Sequence, residues 1–375
     1  MSDNPFDFGG PVSGDQFAGR TRELASVVNL LSNHRGVVLT APRRYGKSSL
    51  MKQASLDLAK QNQSPAIVHL NLLRASSVAT ASGLLLKSLY QVPEGPWHLL
   101  KNALPEFMKK LRVRPSITLD DEGKPVFTFS ASAAQADVLG VFDTVYEILN
   151  EIGEKRPSVL FIDEFQASLD LDSKLPWQLK GLADTYRNVS LVLAGSKQHI
   201  MDTLVSAQNA PLYQMLQPIA LGPIPKDDWV PFLMDSALRA GRPFDSELTA
   251  GKIFDEAGPV PDDVQRLAFE AFSQTSTQIS IDTVKQAVSE LIRHSASSFA
   301  KDFEDQPIGR RRILKTLAAG IYGAPSSFPF VTQTGLANPS SVIKGLDKLC
   351  EAEIVVKREG DYSINNPFFA SWLRG

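Results

Sequence analysis

Three short groups of residues in this chain could do chemistry together: Gly46-Lys47-Ser48, Asp163-Glu164 and Ser196. The first follows an apolar, β-branched run, Val37-Val38-Leu39-Thr40. It lies in the loop Ala41-Pro42-Arg43-Arg44-Tyr45-Gly46-Lys47-Ser48-Ser49, and Leu50, Met51, Ala54 and Leu58 then recur at helical spacing. A strand, a tight loop ending in Gly-Lys-Ser and a helix make the phosphate-binding pattern G-x-x-x-x-G-K-[ST]. The pattern is met at every position but the first, where Ala41 stands for glycine. Such a loop wraps backbone N–H groups around β- and γ-phosphates, helped by the helix N-terminus. Lys47 would reach the phosphate oxygens, and the Ser48 hydroxyl would hold Mg²⁺.

The second group closes Ser158-Val159-Leu160-Phe161-Ile162, a run that reads as a buried strand with two acids at its carboxyl end. In open parallel sheets that end is where ligands bind. Asp163 would hold Mg²⁺ through its water shell, and Glu164 would orient or deprotonate an attacking water. Ser196 ends a third apolar run, Ser190–Gly195, where its hydroxyl could meet a γ-phosphate or that water.

The elements that must position these groups alternate between strand and helix from residue 36 to about 222. That pattern predicts an α/β fold built on a parallel sheet. Ala66–Leu72 is a further buried strand, with His69 as a packed strand residue, and 79–90 is a helix. The segment 92–132 reads as an insertion. It holds an amphipathic helix over 97–111, with Lys109, Lys110 and Arg112 at its basic end. A hairpin follows, pairing 116–119 with 126–129 around Asp120–Lys124.

After Leu221-Gly222-Pro223-Ile224-Pro225 only helices are predicted, over 227–239, 246–256, 262–274 and 282–299, with a break at Gly258-Pro259-Val260-Pro261. Near residue 304 a third pattern begins: three helices, then a hairpin from Ile354 to Ile364, the order of a winged helix. Asn338 would cap its third helix and Pro339 would open it. The expected domains are therefore a P-loop core over 1–224, a helical lid over 225–303 and a winged helix over 304–375.

The chain has 375 residues, 43% hydrophobic and 21% charged, with a net charge of −2, so no overall basic surface drives it. Its one cysteine, Cys350, excludes an internal disulfide and reads as a buried helix residue. No apolar run approaches the roughly 20 residues of a membrane span. The first residues lack a signal-peptide pattern, so the expected location is cytoplasmic with no membrane partner.

Taken together, several pieces resemble the archaeal-type ATPase family, a group within the P-loop signal-transduction ATPases with numerous domains. They are Asn4-Pro5-Phe6, Phe17-Ala18-Gly19-Arg20 with Glu23, the loop Pro42–Leu50, Phe161-Ile162-Asp163-Glu164-Phe165-Gln166 and Ala194-Gly195-Ser196. The ending, from Tyr362 through Asn366-Pro367-Phe368 to Trp372-Leu373, completes the resemblance. It spans nearly the whole chain and implies an AAA+-like core, a lid and a winged helix, with ATP and Mg²⁺ as ligands. By position it implies that Gly19 and Arg20 lie near the adenine and ribose, that Ser196 is a sensor, and that Pro261 of the lid sits near the nucleotide. Thr21 stands where the family box has glutamate. Pro211–Met215 stands where relatives carry Leu-Tyr-Gly-Arg, and lacking that arginine implies slow hydrolysis.

The leading expectation is a nucleotide-dependent switch that hydrolyses ATP to ADP and phosphate, as an oligomer or with a protein partner. GTP is disfavoured, because no Asn-Lys-x-Asp sequence follows the core. One alternative is a DNA-binding ATPase of replication-initiator or transposition-regulator type. It would use Lys344 and Lys348 on the recognition helix, Lys357 and Arg358 on the wing, and Arg310, Arg311 and Arg312 on the first helix. The other is a nucleotide-binding adaptor without turnover, which would leave Glu164 without a purpose.

Overall fold

The computed structural model describes residues 4–61, 64–92, 111–130, 132–320, 327–358 and 360–375. All of the helix expected at 97–111 except Leu111 lies outside the described residues. The chain divides into two compact units, one of residues 11–222, the other of residues 1–10 with 223–375.

The 11–222 unit alternates as its apolar pattern predicts: α1 (Thr21–Ser32), β1 (Val37–Thr40), α2 (Lys47–Lys60), β2 (Ala66–Asn71) and α3 (Val78–Tyr90). After the hairpin β3 (Ser116–Leu119) and β4 (Pro125–Thr128) come α4 (Gln135–Gly153), β5 (Ser158–Asp163), α5 (Leu175–Thr185), β6 (Ser190–Gly195) and β7 (Gln217–Ala220). Five strands form one sheet in the order β2-β5-β6-β1-β7, with every pairing parallel. Every position of β5 and β6 is buried, as a parallel sheet covered on both faces requires. Helices α3 and α4 pack on β2 and on each other. His69 stacks on Phe161 with ring centroids 4.7 Å apart, but on edge strand β2 it is exposed and not enclosed in the core as the sequence suggests.

Register decides where the chemistry falls. Thr40 pairs with Gly195, Ile162 with Leu193, and Asn71 with Asp163. The carboxyl ends of β1, β5 and β6 therefore finish side by side, with the P-loop strand between β6 and β7. The inserted hairpin pairs Ser116 with Thr128, one residue earlier on its second strand than the sequence suggests. It is tied to the core by an ion pair of 2.8 Å between Lys87 and Asp120.

The other unit begins with α6 (Lys226–Arg239), α7 (Glu247–Ala257), α8 (Pro261–Ser273) and the long α9 (Ile281–Glu304). A reciprocal capping box, Ser280 with Thr283, starts α9. Residues 4–10 belong here, and not to the P-loop core expected over 1–224. Phe6 is 1% exposed and sits edge-on to Phe232 and Phe272, with centroids 6.4 and 6.1 Å away. Asn4 Nδ2 donates to the Phe269 carbonyl at 2.9 Å, and the Gly9 amide donates to Asp262 at 2.7 Å. The guanidinium of Arg266 lies over the Phe8 ring.

The unit ends with α10 (Ile308–Ala318), α11 (Phe328–Thr334), α12 (Pro339–Glu351), the hairpin β8 (Val355–Arg358) and β9 (Asp361–Ile364), and α13 (Pro367–Arg374). This is the winged-helix order. Asn338 accepts the Ser341 amide and Pro339 opens α12, as the sequence suggests. Val342, Leu346 and Leu349 form the buried face of α12. Phe299 of α9 meets Phe369 and Trp372 of α13 at 5.3 and 6.3 Å, so the last helix is seated on an aromatic cluster. Cys350 is half-buried, and burial pushes its thiol up and away from a reactive thiolate.

Candidate functional site

The loop after β1 delivers the chain into α2 at Lys47. Two of its residues turn in the left-handed region, Arg44 at φ 70 and Gly46 at φ 83. Ala41 is not among the positive-φ residues. The missing first glycine therefore costs no strain here, because that position does not need glycine's freedom. Ala41 and Tyr45 are buried, and the Ala41 amide reaches the Gly195 carbonyl at 3.4 Å.

Lys47 is 6% exposed, and its ammonium donates to the carbonyls of Ala41 at 2.9 Å and Pro42 at 3.3 Å. The amine thus lies over the mouth of its own loop. The first turn of α2 offers the N–H groups of Lys47, Ser48 and Ser49, which have no acceptor within the helix. The Ser49 hydroxyl accepts the Val12 amide at 3.2 Å. Gln53 Oε1 takes the Gly14 amide at 2.7 Å, and together these bonds strap residues 12–14 along α2.

The second chemical group meets the first as expected. The Ser48 hydroxyl donates to Asp163 Oδ2 at 2.8 Å, across 115 residues of sequence. Asp163 is 5% exposed, and its other oxygen accepts the Glu164 amide at 3.0 Å. A hydroxyl beside a carboxylate is the hard-oxygen donor pair that suits Mg²⁺, an ion that retains waters and takes few protein ligands. Among the described residues no cluster of three or more His, Cys, Asp or Glu side chains could hold a metal.

Glu164 has a left-handed backbone, φ 55 and ψ 46, which costs a residue other than glycine about 1–3 kcal/mol. Its Oε2 accepts the Ser196 hydroxyl at 3.0 Å and the Gln166 amide nitrogen. The same nitrogen donates to Ser196 Oγ at 3.2 Å. Gln166 carried no role in the sequence reading. Its signal there is weak, a polar residue among apolar ones two places after the acid pair.

Gly19 and Arg20 stand just before α1, both left-handed at φ 59 and φ 64. The Arg20 guanidinium is buried and donates to the carbonyls of Tyr45 at 3.1 Å and Gly222 at 2.6 Å, while also pairing with Glu23 at 3.1 Å. Burial pushes its pKa down and the Glu23 bond opposes that. Arg20 therefore braces the P-loop from behind. Arg20→Ala is expected to destabilise the 11–222 unit by about 2–3 kcal/mol, because it strands two carbonyl acceptors. Denaturant unfolding measures this, and a loss below about 0.5 kcal/mol, the scatter of surface changes, would contradict the brace. Pro261 belongs to the other unit, at the first position of α8 beyond Gly258.

Comparison with known proteins agrees with this architecture. Residues 298–375 match the family model described as "Probable winged helix domain". A search of the curated proteins gave no match. Among solved structures the chain is similar to the Walker-type ATPase PABY2304 of Pyrococcus abyssi, at 18% identity and a TM-score of 0.65, covering 99% of this chain and 100% of that one. It is similar to the Aeropyrum pernix ORC2 protein, solved as ADPNP–ADP complexes, at 15% identity and 0.59, covering 100% and 97%. It is also similar to the Aeropyrum pernix ORC1 protein in complex with DNA, at 12% and 0.51, covering 96% and 93%. The chain has the fold of these proteins, a parallel-sheet core followed by helices and a winged helix. The family resemblance drawn from its motifs is consistent with all three.

Proposed function

We propose that this chain binds ATP and slowly hydrolyses it to ADP and phosphate, working as a nucleotide-dependent switch. The observation that carries the reading is the contact of Ser48 with Asp163 at 2.8 Å beside Lys47 and Glu164, past the carboxyl ends of β1 and β5, the two strands that flank β6. Lys47 exchanges its two carbonyl partners for phosphate oxygens. The first-turn amides of α2 hold the same phosphates, with Pro42–Tyr45 forming the wall of the loop. Ser48 and Asp163 would hold Mg²⁺, which would neutralise charge on the phosphates. Glu164 orients the attacking water and takes its proton, and Ser196 donates its hydroxyl to the γ-phosphate. Gly19 and Arg20 offer backbone to the adenosine end.

The switch reading rests on the phosphate-facing geometry of the 11–222 unit. Nucleotide would favour one arrangement and hydrolysis would release it. The winged helix over 304–375 would report the state to a protein partner or a second copy of the chain. No described helix is long and apolar enough to cross a membrane, which fits the expected cytoplasmic setting.

Lys47→Ala is expected to abolish the rise in melting temperature that saturating ATP gives the wild type, because the loop loses its counter-charge. An equal rise in both proteins would reject nucleotide binding at this loop. ATP turnover in the wild type, Lys47→Ala and Glu164→Gln, each with and without duplex DNA, tests the enzyme. Equal rates in all three proteins would reject it.

A DNA-binding ATPase is the second reading, favoured by the winged helix and by the DNA-bound neighbour. Lys344 and Lys357 are exposed on α12 and β8. Other basic groups are already engaged: Arg311 with the carbonyls of Glu304 and Gln306, Arg312 with that of Gly335, and Lys348 with Glu351. On this reading duplex affinity falls linearly with the logarithm of salt concentration, and Lys344→Ala with Lys357→Ala reduces the slope by about 2. A flat salt response rejects it.

A further inference from the structure

We propose that Gln166 is a positioning residue for Glu164, holding one oxygen of that carboxylate in place whether or not Ser196 is engaged elsewhere. This rests on reading Glu164 as the base. The three side chains form a closed triangle: Gln166 Nε2 donates to Glu164 Oε2 and to Ser196 Oγ, and Ser196 Oγ donates to the same Oε2. Both neighbours of the amide are acceptors, and this fixes which end of the amide faces them. Both donors converge on Oε2, while Glu164 Oε1 accepts no hydrogen bond in the described structure. The carboxylate is thus anchored through one oxygen, with the other free to accept a proton from water.

Proton counting separates the two anchors. A serine hydroxyl has one hydrogen and an amide nitrogen has two. When the Ser196 hydroxyl turns to a phosphate oxygen, it can no longer donate to Glu164. Gln166 keeps one N–H on Oε2 and the other on Ser196 Oγ in either state. Glu164 therefore keeps its orientation at the moment the sensor hydroxyl leaves it.

The surroundings show what this position gives up for that amide. Gln166 is 6% exposed, and its Oε1 is buried with no partner. A Cβ on Gly195 would collide with that oxygen and with Met201, so only glycine leaves room for the amide here. Packing alone would be served better by methionine, which fills the same space without an orphaned acceptor.

The test compares the wild type, Glu164→Gln and Gln166→Met. The expected result for Gln166→Met is a fall in kcat of about 10²-fold, the cost of a misplaced reacting group, with KM for ATP within about twofold of wild type. A wild-type kcat, or a defect confined to KM, overturns the proposal. Thermal unfolding without nucleotide gives an independent reading. If the triangle holds, Glu164→Ala and Gln166→Met together lower the melting temperature by less than the sum of their separate effects. Additive effects overturn it. Absence of turnover in the wild type rejects the ATPase reading itself. Turnover lost in Glu164→Gln but kept in Gln166→Met rejects only the positioning role.

Discussion

Glu164→Gln is expected to lower ATP turnover by about 10²–10⁴-fold while leaving ATP binding intact. The amide is nearly the size of the carboxylate but cannot take a proton. The left-handed turn at 164 is backbone geometry and survives the change, and so does the bond from the Glu164 amide to Asp163. Lys47, Ser48 and Asp163 are untouched, so the phosphate and cation contacts remain. Phosphate release measures the first half of this expectation, and the ATP-dependent melting shift the second. A variant that hydrolyses at the wild-type rate would remove Glu164 from the chemistry. A variant that also loses the melting shift would make Glu164 a binding group.

Phe6→Ala is expected to destabilise the unit of residues 1–10 and 223–375 by about 3–5 kcal/mol. Phe6 is among the largest fully buried side chains of the chain, edge-on to Phe232 and Phe272. Phe232 is in turn edge-on to Trp229, which is itself buried, so the cavity would open inside an aromatic cluster that has little room to collapse. Denaturant unfolding followed by tryptophan fluorescence reports it directly. A loss under about 0.5 kcal/mol, the scatter of surface changes, would mean that this segment is not integral to that fold.

Much of the core was legible because its signals are local. An apolar run ending in Gly-Lys-Ser, and another ending in Asp-Glu, each announce a strand and its functional end within a dozen residues. Parallel register then brought Ser48 to Asp163, which the sequence suggested only through the pattern. Strand β7 was not legible: Gln217-Pro218-Ile219-Ala220 is an edge strand with exposed positions and a proline, lacking the apolar run that marked the others. The Arg20 brace was hidden for a different reason. Its Gly222 partner lies 202 residues away, and no spacing rule connects them. The family resemblance drew attention to Gly19 and Arg20 for their place near a ligand, whereas the guanidinium is engaged with protein carbonyls. Residues 4–10 show no period, and only tertiary contact with α6 and α8 gives Phe6 and Phe8 their order.

The seat of that first segment also bears on how the chain is made. Asn4 and its partner Phe269 are 265 residues apart in sequence. At roughly 5–20 residues per second, translation leaves the amino-terminal peptide waiting on the order of 10–50 s for its acceptor. The P-loop unit, encoded between the two, can fold while the peptide waits. Phe6 and Phe8 thus leave the ribosome well before the helices that seat them, and stay open to chaperones until those helices arrive.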